Sequence, residues 1–378
     1  MRLRPAKKIV FTKNEKEMKR LFVIAILAWL AIPVFAQPKY SNEFLSIGVG
    51  ARALGMSNSN IAIVNDVTAG YWNPAGLLLI PKNTQVGLMH SEYFAGIAKY
   101  DYGAVAAKID ASSAAAFSFI RFGVDDIPNT TDLIDNEGNI DYDRITSFSA
   151  DDYAFIFSYA RKHKIEGLRY GANVKVIHRK IGDFASAWGF GIDVAAQYDY
   201  KKWNFGILGR DITSTFNAWN YSLSDRMKEV FTETGNEIPS NTLEITMPRL
   251  ILGAARKFDL GKKFTGLADI DLDMTFDGMR NVLIKSDPIS LDPHIGLEFG
   301  YKNLIFLRAG VGNIQDETNM EGKKYKTFQP NMGIGINIKD LFSIDYALTD
   351  IGDKSIALYS NIFSLKFNLN RKESNPAK

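Results

Sequence analysis

From about Gln85 to Leu369 the chain alternates apolar and polar residues with a period of two, the mark of strands with two unlike faces. In FSIDYALT, Phe342, Ile344, Tyr346 and Leu348 share one face, and Ser343, Asp345, Ala347 and Thr349 share the other. In NMGIGINI, Met332, Ile334, Ile336 and Ile338 alternate with Asn331, Gly333, Gly335 and Asn337. GLADIDLDM opposes Ile270, Leu272 and Met274 to Asp269, Asp271 and Asp273, and GANVKVIHRK sets Ala172, Val174 and Val176 against Asn173, Lys175 and Ile177. Gly, Asn, Asp and Lys are poor material for a sandwich core and suit a water-facing lumen. The pattern predicts strands at 85–91, 101–109, 114–122, 154–161, 171–180, 189–198, 204–211, 248–258, 264–274, 293–301, 304–311, 329–338, 342–349 and 360–369. Fourteen is an even number, and most segments are long enough for a tilted strand to cross a bilayer. The fold class expected is all-β, a transmembrane antiparallel barrel over residues 84–370.

The connections test this independently. With the first strand running outward, odd-to-even connections are extracellular and long, and even-to-odd ones are periplasmic and short. Long ones fall at 123–153, 212–247, 275–292 and 312–328, with 92–100, 181–188 and 350–357 as shorter outer loops. Short ones include 110–113, 199–203, 259–263, 302–303 and 339–341, with 162–170 a longer inner turn. Both ends of a soluble sandwich face water, so that fold gives no reason for the asymmetry. Mean hydropathy is only −0.11 although aromatics reach 12%, as a barrel with interfacial girdles and no continuous apolar run requires. The last strand, SNIFSLKFNLN, turns Phe363, Leu365, Phe367 and Leu369 outward and is followed by a polar tail, 371–378.

Ahead of the strands, Leu21–Ala36 carries no charge, follows Met18-Lys19-Arg20 and ends on Val34-Phe35-Ala36. This is the pattern of a secretory signal peptide over 18–36, cleaved between Ala36 and Gln37, with 1–17 an over-extended start. A retained anchor is the alternative, but the run is short of the roughly 20 residues a spanning helix needs. The leader holds a net six positive charges; removing them from the total of +3 leaves −3, so the basic balance belongs to the leader and nothing argues for nucleic acid. There is no cysteine, which excludes a disulfide framework and a thiolate site. His90, His163, His178 and His294 lie far apart without ligand spacing.

Residues 37–83 remain, rich in Gly, Ala and small polar residues and placed where a lumen of this width needs filling. They are expected to form a hatch in the barrel, with Asn73-Pro74-Ala75-Gly76 a tight turn near the wall. Arg52 and Asp66 are the only charges between Glu43 and Lys82. Buried, each needs a partner, either the other or a lumen residue such as Asp269 or Lys175.

EFLSIGVGARALGM followed by NDVTAGYWNPAGL resembles the N-terminal signature of the PorV/PorQ family, outer-membrane proteins related to FadL-type fatty-acid transporters. Gly48, Gly50, Ala51, Arg52, Ala53, Gly55 and Met56 match its first half; Asp66, Thr68, Ala69, Trp72, Asn73, Pro74, Ala75, Gly76 and Leu77 match its second. Where the family commonly has glycines after the methionine, this chain has Ser57-Asn58-Ser59. PRLILGAARKF and HIGLEFGYKNLIFLRAGVG are similar to the family's strands. The resemblance implies a FadL-like barrel of about fourteen strands with an N-terminal hatch, in the outer membrane of a Gram-negative cell, contacting its lipid and lipopolysaccharide. It also implies a role in type IX secretion. PorV-like members receive cargo through its C-terminal signal domain and pass it to a surface sortase, while PorQ-like members belong to the attachment machinery. A FadL-like transporter of small hydrophobic molecules is the alternative.

Other chemistry finds little support. GVGARALG lacks the spacing and the βαβ context of a dinucleotide loop. Asp269, Asp271 and Asp273 are weak candidates for a cation; without a glycine-containing calcium loop they read as a hydrated lumen face. The loop 123–153 holds Asp125, Asp126, Asp132, Asp135, Glu137, Asp141, Asp143, Asp151 and Asp152 against Arg144 alone, and reads as a solvated surface that could recruit cations or a basic partner. No catalytic set and no cofactor motif is recognisable, so no enzyme is expected.

Overall fold

The computed structural model describes residues 41–370 apart from 135–136, 320, 340 and 352–358; the leader, its cleavage point and the tail 371–378 lie outside them. Strands β1 (Thr84–Tyr93), β2 (Ala98–Lys108), β3 (Ser113–Asn129), β4 (Thr146–Lys162), β5 (Leu168–Ile181), β6 (Ala185–Tyr200) and β7 (Trp203–Arg210) pair antiparallel in sequence order. β8 (Phe216–Tyr221) and β9 (Thr242–Ile245) come next, followed by β10 (Arg249–Leu260), β11 (Phe264–Thr275), β12 (Ser290–Tyr301), β13 (Ile305–Thr318), β14 (Lys324–Ile338), β15 (Phe342–Thr349) and β16 (Ser360–Leu369). β7 pairs with β10, and β16 returns to β1 with Leu369 opposite Thr84. β8 prolongs β7 by pairing with Ala185–Phe190 of β6, and β9 pairs with β8 ahead of β10. The wall is therefore a closed antiparallel barrel of fourteen strands, two of them interrupted.

The interruption after β7 has a visible cause. Asp211 takes a positive φ of 56°, its amide donates to Asp193 Oδ1 at 2.8 Å, and its carboxylate accepts from Lys175 and Thr215. Lys175 also lies 2.8 Å from Asp193 Oδ1, so this buried lysine pins the irregular stretch to the wall.

The alternation read from the sequence sorts the residues by environment. Phe363, Leu365, Phe367 and Leu369 are exposed while Ser364 and Asn368 between them are buried. Leu88, Phe157, Val174, Ile207, Ile270, Leu297 and Ile334 continue the exposed apolar band around the barrel. In water a band of that extent would drive association; against lipid chains it is matched to its solvent. Closure pairs the fourteen wall strands on both sides through the barrel's lipid-facing band, where lipid could not satisfy a free edge.

The ladder outruns the pattern at the long-loop end. β3 and β4 leave only 130–145 as the connection instead of 123–153, and β13 and β14 leave 319–323 instead of 312–328. The region 212–247 holds β8, β9 and a helix, α1 (Asp225–Glu233). Beyond the bilayer the outward face need not be apolar, so the period fades while pairing continues. Cross-strand ion pairs hold these extensions: Lys99 Nζ to Asp125 at 3.0 Å, Arg121 Nη2 to Asp151 at 2.7 Å and Arg179 Nε to Asp152 at 2.7 Å. Much of the acidity of the expected loop is thus spent on neighbouring strands.

A closed barrel of this kind should run faster on a denaturing gel unheated than boiled, and should fractionate with the outer membrane. Recovery as a soluble protein with a single gel position would contradict the closed transmembrane wall.

Candidate functional site

Residues 41–80 lie against the inward face of the wall, and the motif residues build their local structure. Gly48 has a φ of +101°, and a Cβ there would come within 3.1 Å of the Trp72 ring, so only glycine fits beneath that indole. Gly50 precedes one helical turn, Ala51–Leu54. Gly55 follows that turn and packs on Gly333 of β14, where a Cβ would stand 3.0 Å from its Cα. Met56 is fully buried. Ser57 and Asn58 adopt φ of 53° and 66°, a left-handed turn that glycine favours and asparagine tolerates. Trp72 Nε1 donates to Val49 O at 2.8 Å and Tyr71 Oη to Leu45 O at 2.6 Å, tying the two halves of the motif together.

Asn73 does more than make a tight turn. Its Oδ1 accepts from Ala75 N at 3.2 Å, capping a short 3-10 helix, Pro74–Leu79, with Pro74 at its first position. Its Nδ2 donates to Ile61 O and to Ala196 O of β6, each at 3.1 Å. Gly76 packs under Val64, whose carbonyl oxygen would stand 2.3 Å from an added Cβ.

The wall meets this segment with backbone and small residues. A Cβ at Gly171 would lie 2.8 Å from Ala75 N, one at Gly206 2.5 Å from Ile61 O, and one at Gly310 2.3 Å from the Met56 carbonyl carbon. Inward polar side chains receive the backbone: Asp271 Oδ2 accepts from Asn60 N at 2.7 Å and Ile61 N at 2.8 Å, and Ser364 Oγ accepts from Ala51 N at 2.8 Å. Gln197 Nε2 donates to Ile61 O at 3.0 Å.

Both charges of the segment are paired, but neither with the other nor with Asp269 or Lys175. Arg52 makes a two-pronged contact with Glu298 of β12, Nε to Oε2 at 2.9 Å and Nη2 to Oε1 at 3.1 Å. Glu298 Oε2 also accepts from Arg308 of β13 at 2.7 Å. Arg308 Nη1 reaches Asp345 of β15 at 2.7 Å, Asp345 lies 3.1 Å from Lys366 of β16, and Lys366 donates to Asp66 at 2.8 Å. Six charges of alternating sign thus run from one end of the motif through four wall strands to the other end. Burial opposes the charge of Asp66, yet the Lys366 ammonium and the Thr68 hydroxyl hold its carboxyl below the usual carboxylate range. Lys175 is occupied at the β7 interruption. Asp269 and Asp271 are buried to 0% and 1% exposure, so they do not form the open hydrated face expected of them. Asp273, next along the strand, has Arg249 Nη1 3.6 Å from its Oδ2. Among the described residues no group of three or more His, Asp or Glu side chains is arranged to hold a metal.

Two cavities flank the segment and share no lining residue. One of about 840 Å³ lies toward the long loops, with Phe44, Ile47 and Trp72 below and Arg210, Arg249, Asp273 and Arg280 beside them. One of about 400 Å³ lies toward the short turns and is lined by Arg52, Asp66, Glu298, Arg308, Asp345 and Lys366. The wall members of the charge string escaped the motif reading. Their signal was a charged residue at an inward position between apolar neighbours, as with Glu298 between Leu297 and Phe299.

A family model described as the type IX secretion system protein PorV matches residues 39–266. No curated protein matches in sequence. Among solved structures, the CymD monoaromatic hydrocarbon channel is similar at 12% identity and a TM-score of 0.53, covering 86% of this chain and 98% of that one. The Pseudomonas putida toluene transporter TodX is similar at 13% identity and a TM-score of 0.55, covering 85% and 98%. The Ralstonia pickettii toluene transporter TbuX is similar at 14% and 0.51, covering 85% and 99%. At these identities the likeness is one of fold.

Removing one partner from a buried ion pair costs about 3–5 kcal/mol. Glu298→Ala takes from Arg52 its only paired carboxylate among the described residues and from Arg308 one of two, and should lower the temperature of the gel-mobility transition most. Arg52→Ala should cost less, because Glu298 keeps Arg308. Gly310→Val should also lower it, since the new side chain and Met56 cannot share the space. Transitions unchanged in all three would mean that the segment is not held by these contacts.

Proposed function

Because the chain belongs to the PorV family of type IX secretion system proteins, we propose that it serves as a closed, non-enzymatic platform in the outer membrane, receiving secreted protein at its outer face. On this reading the leader at 18–36 directs export, residues 41–80 act as a fixed plug, and the cargo is engaged by its C-terminal signal domain at the rim and long loops. Lipid and lipopolysaccharide surround the wall. The observation that carries the reading, beside the family match, is the packing of the lumen. A segment tied at both ends by buried ion pairs, and seated on wall glycines, favours a stopper over a passage.

A transporter of small hydrophobic molecules is the second reading, favoured by the likeness to CymD and TodX and by the 840 Å³ cavity. That cavity is large enough for a ligand, but ligand pockets for apolar molecules are lined mainly by apolar groups. Here Glu43, Arg210, Arg249, Asp273 and Arg280 share the lining with the aromatics, which weighs against it.

Two measurements separate the readings. In planar bilayers wild type should be silent, and deletion of residues 44–77 should leave an inserted barrel that conducts; unchanged conductance would remove the plug. Wild type in nanodiscs should retain a type IX cargo signal domain and not toluene or a long-chain fatty acid. Retention of the small molecules without the domain would replace the platform with the transporter.

A further inference from the structure

The two ends of the barrel treat their basic residues differently. At the long-loop end Lys99, Arg121, Arg179 and Lys285 are each paired, with Asp125, Asp151, Asp152 and Asp316 at 2.7–3.0 Å. At the other end five of the six short turns carry exposed lysine: Lys164, the pair Lys201–Lys202, the pair Lys262–Lys263, Lys302 and Lys339. Among the described residues only Lys202 of these has an ion pair, with Asp259 at 2.8 Å. Among the described residues the other exposed carboxylates in those turns are Asp110, whose oxygens accept from Ser112 and Ser113, and Glu166.

The backbone makes the choice of lysine more telling. Lys201, Lys302 and Lys339 have φ of 57°, 52° and 52°, a conformation that favours Gly, Asn or Asp in a tight turn and disfavours a long side chain. What lysine supplies there is charge. The depth of that charge follows from the turns. Lys201–Lys202 stands directly between Tyr200 and Trp203, both exposed on the outward face. Lys201 Nζ lies 5.1 Å from the Tyr200 ring centre, and Lys302 Nζ 5.4 Å from that of Tyr301. With a rise of about 3.3 Å per residue, these ammonium groups sit one or two residues beyond an aromatic girdle, where headgroups lie.

We propose that the short-turn rim is a ring that binds the anionic headgroups of glycerophospholipids in the periplasmic leaflet. The lysines recur turn after turn around the circumference, which suits an annulus of lipid better than a protein docking on one side. At the opposite end, among the described residues, the unpaired exposed lysines Lys323 and Lys324 stand together at one connection and do not recur around the circumference. The proposal rests on the outer-membrane reading, which sets the short turns on the periplasmic side.

The test uses the full chain reconstituted in phosphatidylcholine vesicles with spin-labelled phosphatidylglycerol or spin-labelled phosphatidylcholine, reading the lipid immobilised at the protein. The expected result is a preference for phosphatidylglycerol of about fivefold per occupied site at low salt, the equivalent of ~1 kcal/mol, fading at high salt. The variant Lys201→Asn/Lys302→Asn/Lys339→Asn places a residue suited to each turn, so it should fold at least as well, and its preference should fall toward one. Equal immobilisation of both lipids by wild type, or an unchanged preference in the variant, overturns the ring. So does salt-sensitive capture of an acidic periplasmic protein without lipid preference, which would reassign the lysines to a protein. Gel mobility of the same samples reports insertion: a barrel that never inserts removes the membrane reading and the ring with it, whereas an inserted barrel without preference removes the ring alone.

Discussion

Lipid offers no hydrogen bond to a peptide group, and the rest of this structure follows from that constraint. A sheet in lipid must pair every strand on both sides, so fourteen strands close on themselves and β16 returns to β1. Closure then divides the side chains by parity. Odd and even positions cannot share an environment, and apolar residues go to the lipid while Ser, Asn, Asp and Lys go inward. The polar interior is the cost of that division, since inward groups also need partners once water is excluded.

Residues 41–80 supply those partners. Asp271 takes two of their amides, and Gln197 donates to one of their carbonyls. Arg52 and Asp66 complete a run of charges that would otherwise end on Glu298 at one side and Lys366 at the other. The dependence is mutual. A segment of single helical turns this short has little stability of its own, and its conformation is set by what it touches. The glycines of the wall belong to the same arrangement: they bring its backbone near enough for those bonds to form.

Parity was legible in the sequence because it repeats over hundreds of residues, and so the strand count came through unchanged. Strand ends at the outer side were not legible. There the ladder of β3 and β4 is carried by pairs such as Arg121–Asp151, and ion pairs between strands have no period along one strand. The segment's own motif could be read, and so could the need of Arg52 and Asp66 for partners. The identity of those partners could not. Arg52 and Glu298 are 246 residues apart, and only barrel geometry decides which inward carboxylate faces which guanidinium. Asp269 and Lys175, equally inward by parity, face other neighbours. Asp269 is fully buried in the wall, while Lys175 holds the break after β7.

The likeness to hydrocarbon channels and the membership of a secretion family are answers to different questions. A wall of fourteen strands is a solution to lipid, and chains only 12–14% identical can share it because parity tolerates almost any outward apolar residue and many inward polar ones. What passes through such a wall depends on the contents. Here each contact between segment and wall uses a position that parity alone would leave free: a glycine at 171, 206 or 310, a glutamate at 298, an aspartate at 345. Opening a path would have to break a buried string of charges and expose carboxylates already bonded to backbone. A gate is built from contacts that exchange easily, and buried ion pairs are costly to break. If residues 41–80 hold as the proposed plug, the surfaces left to this chain for binding are those at its two ends.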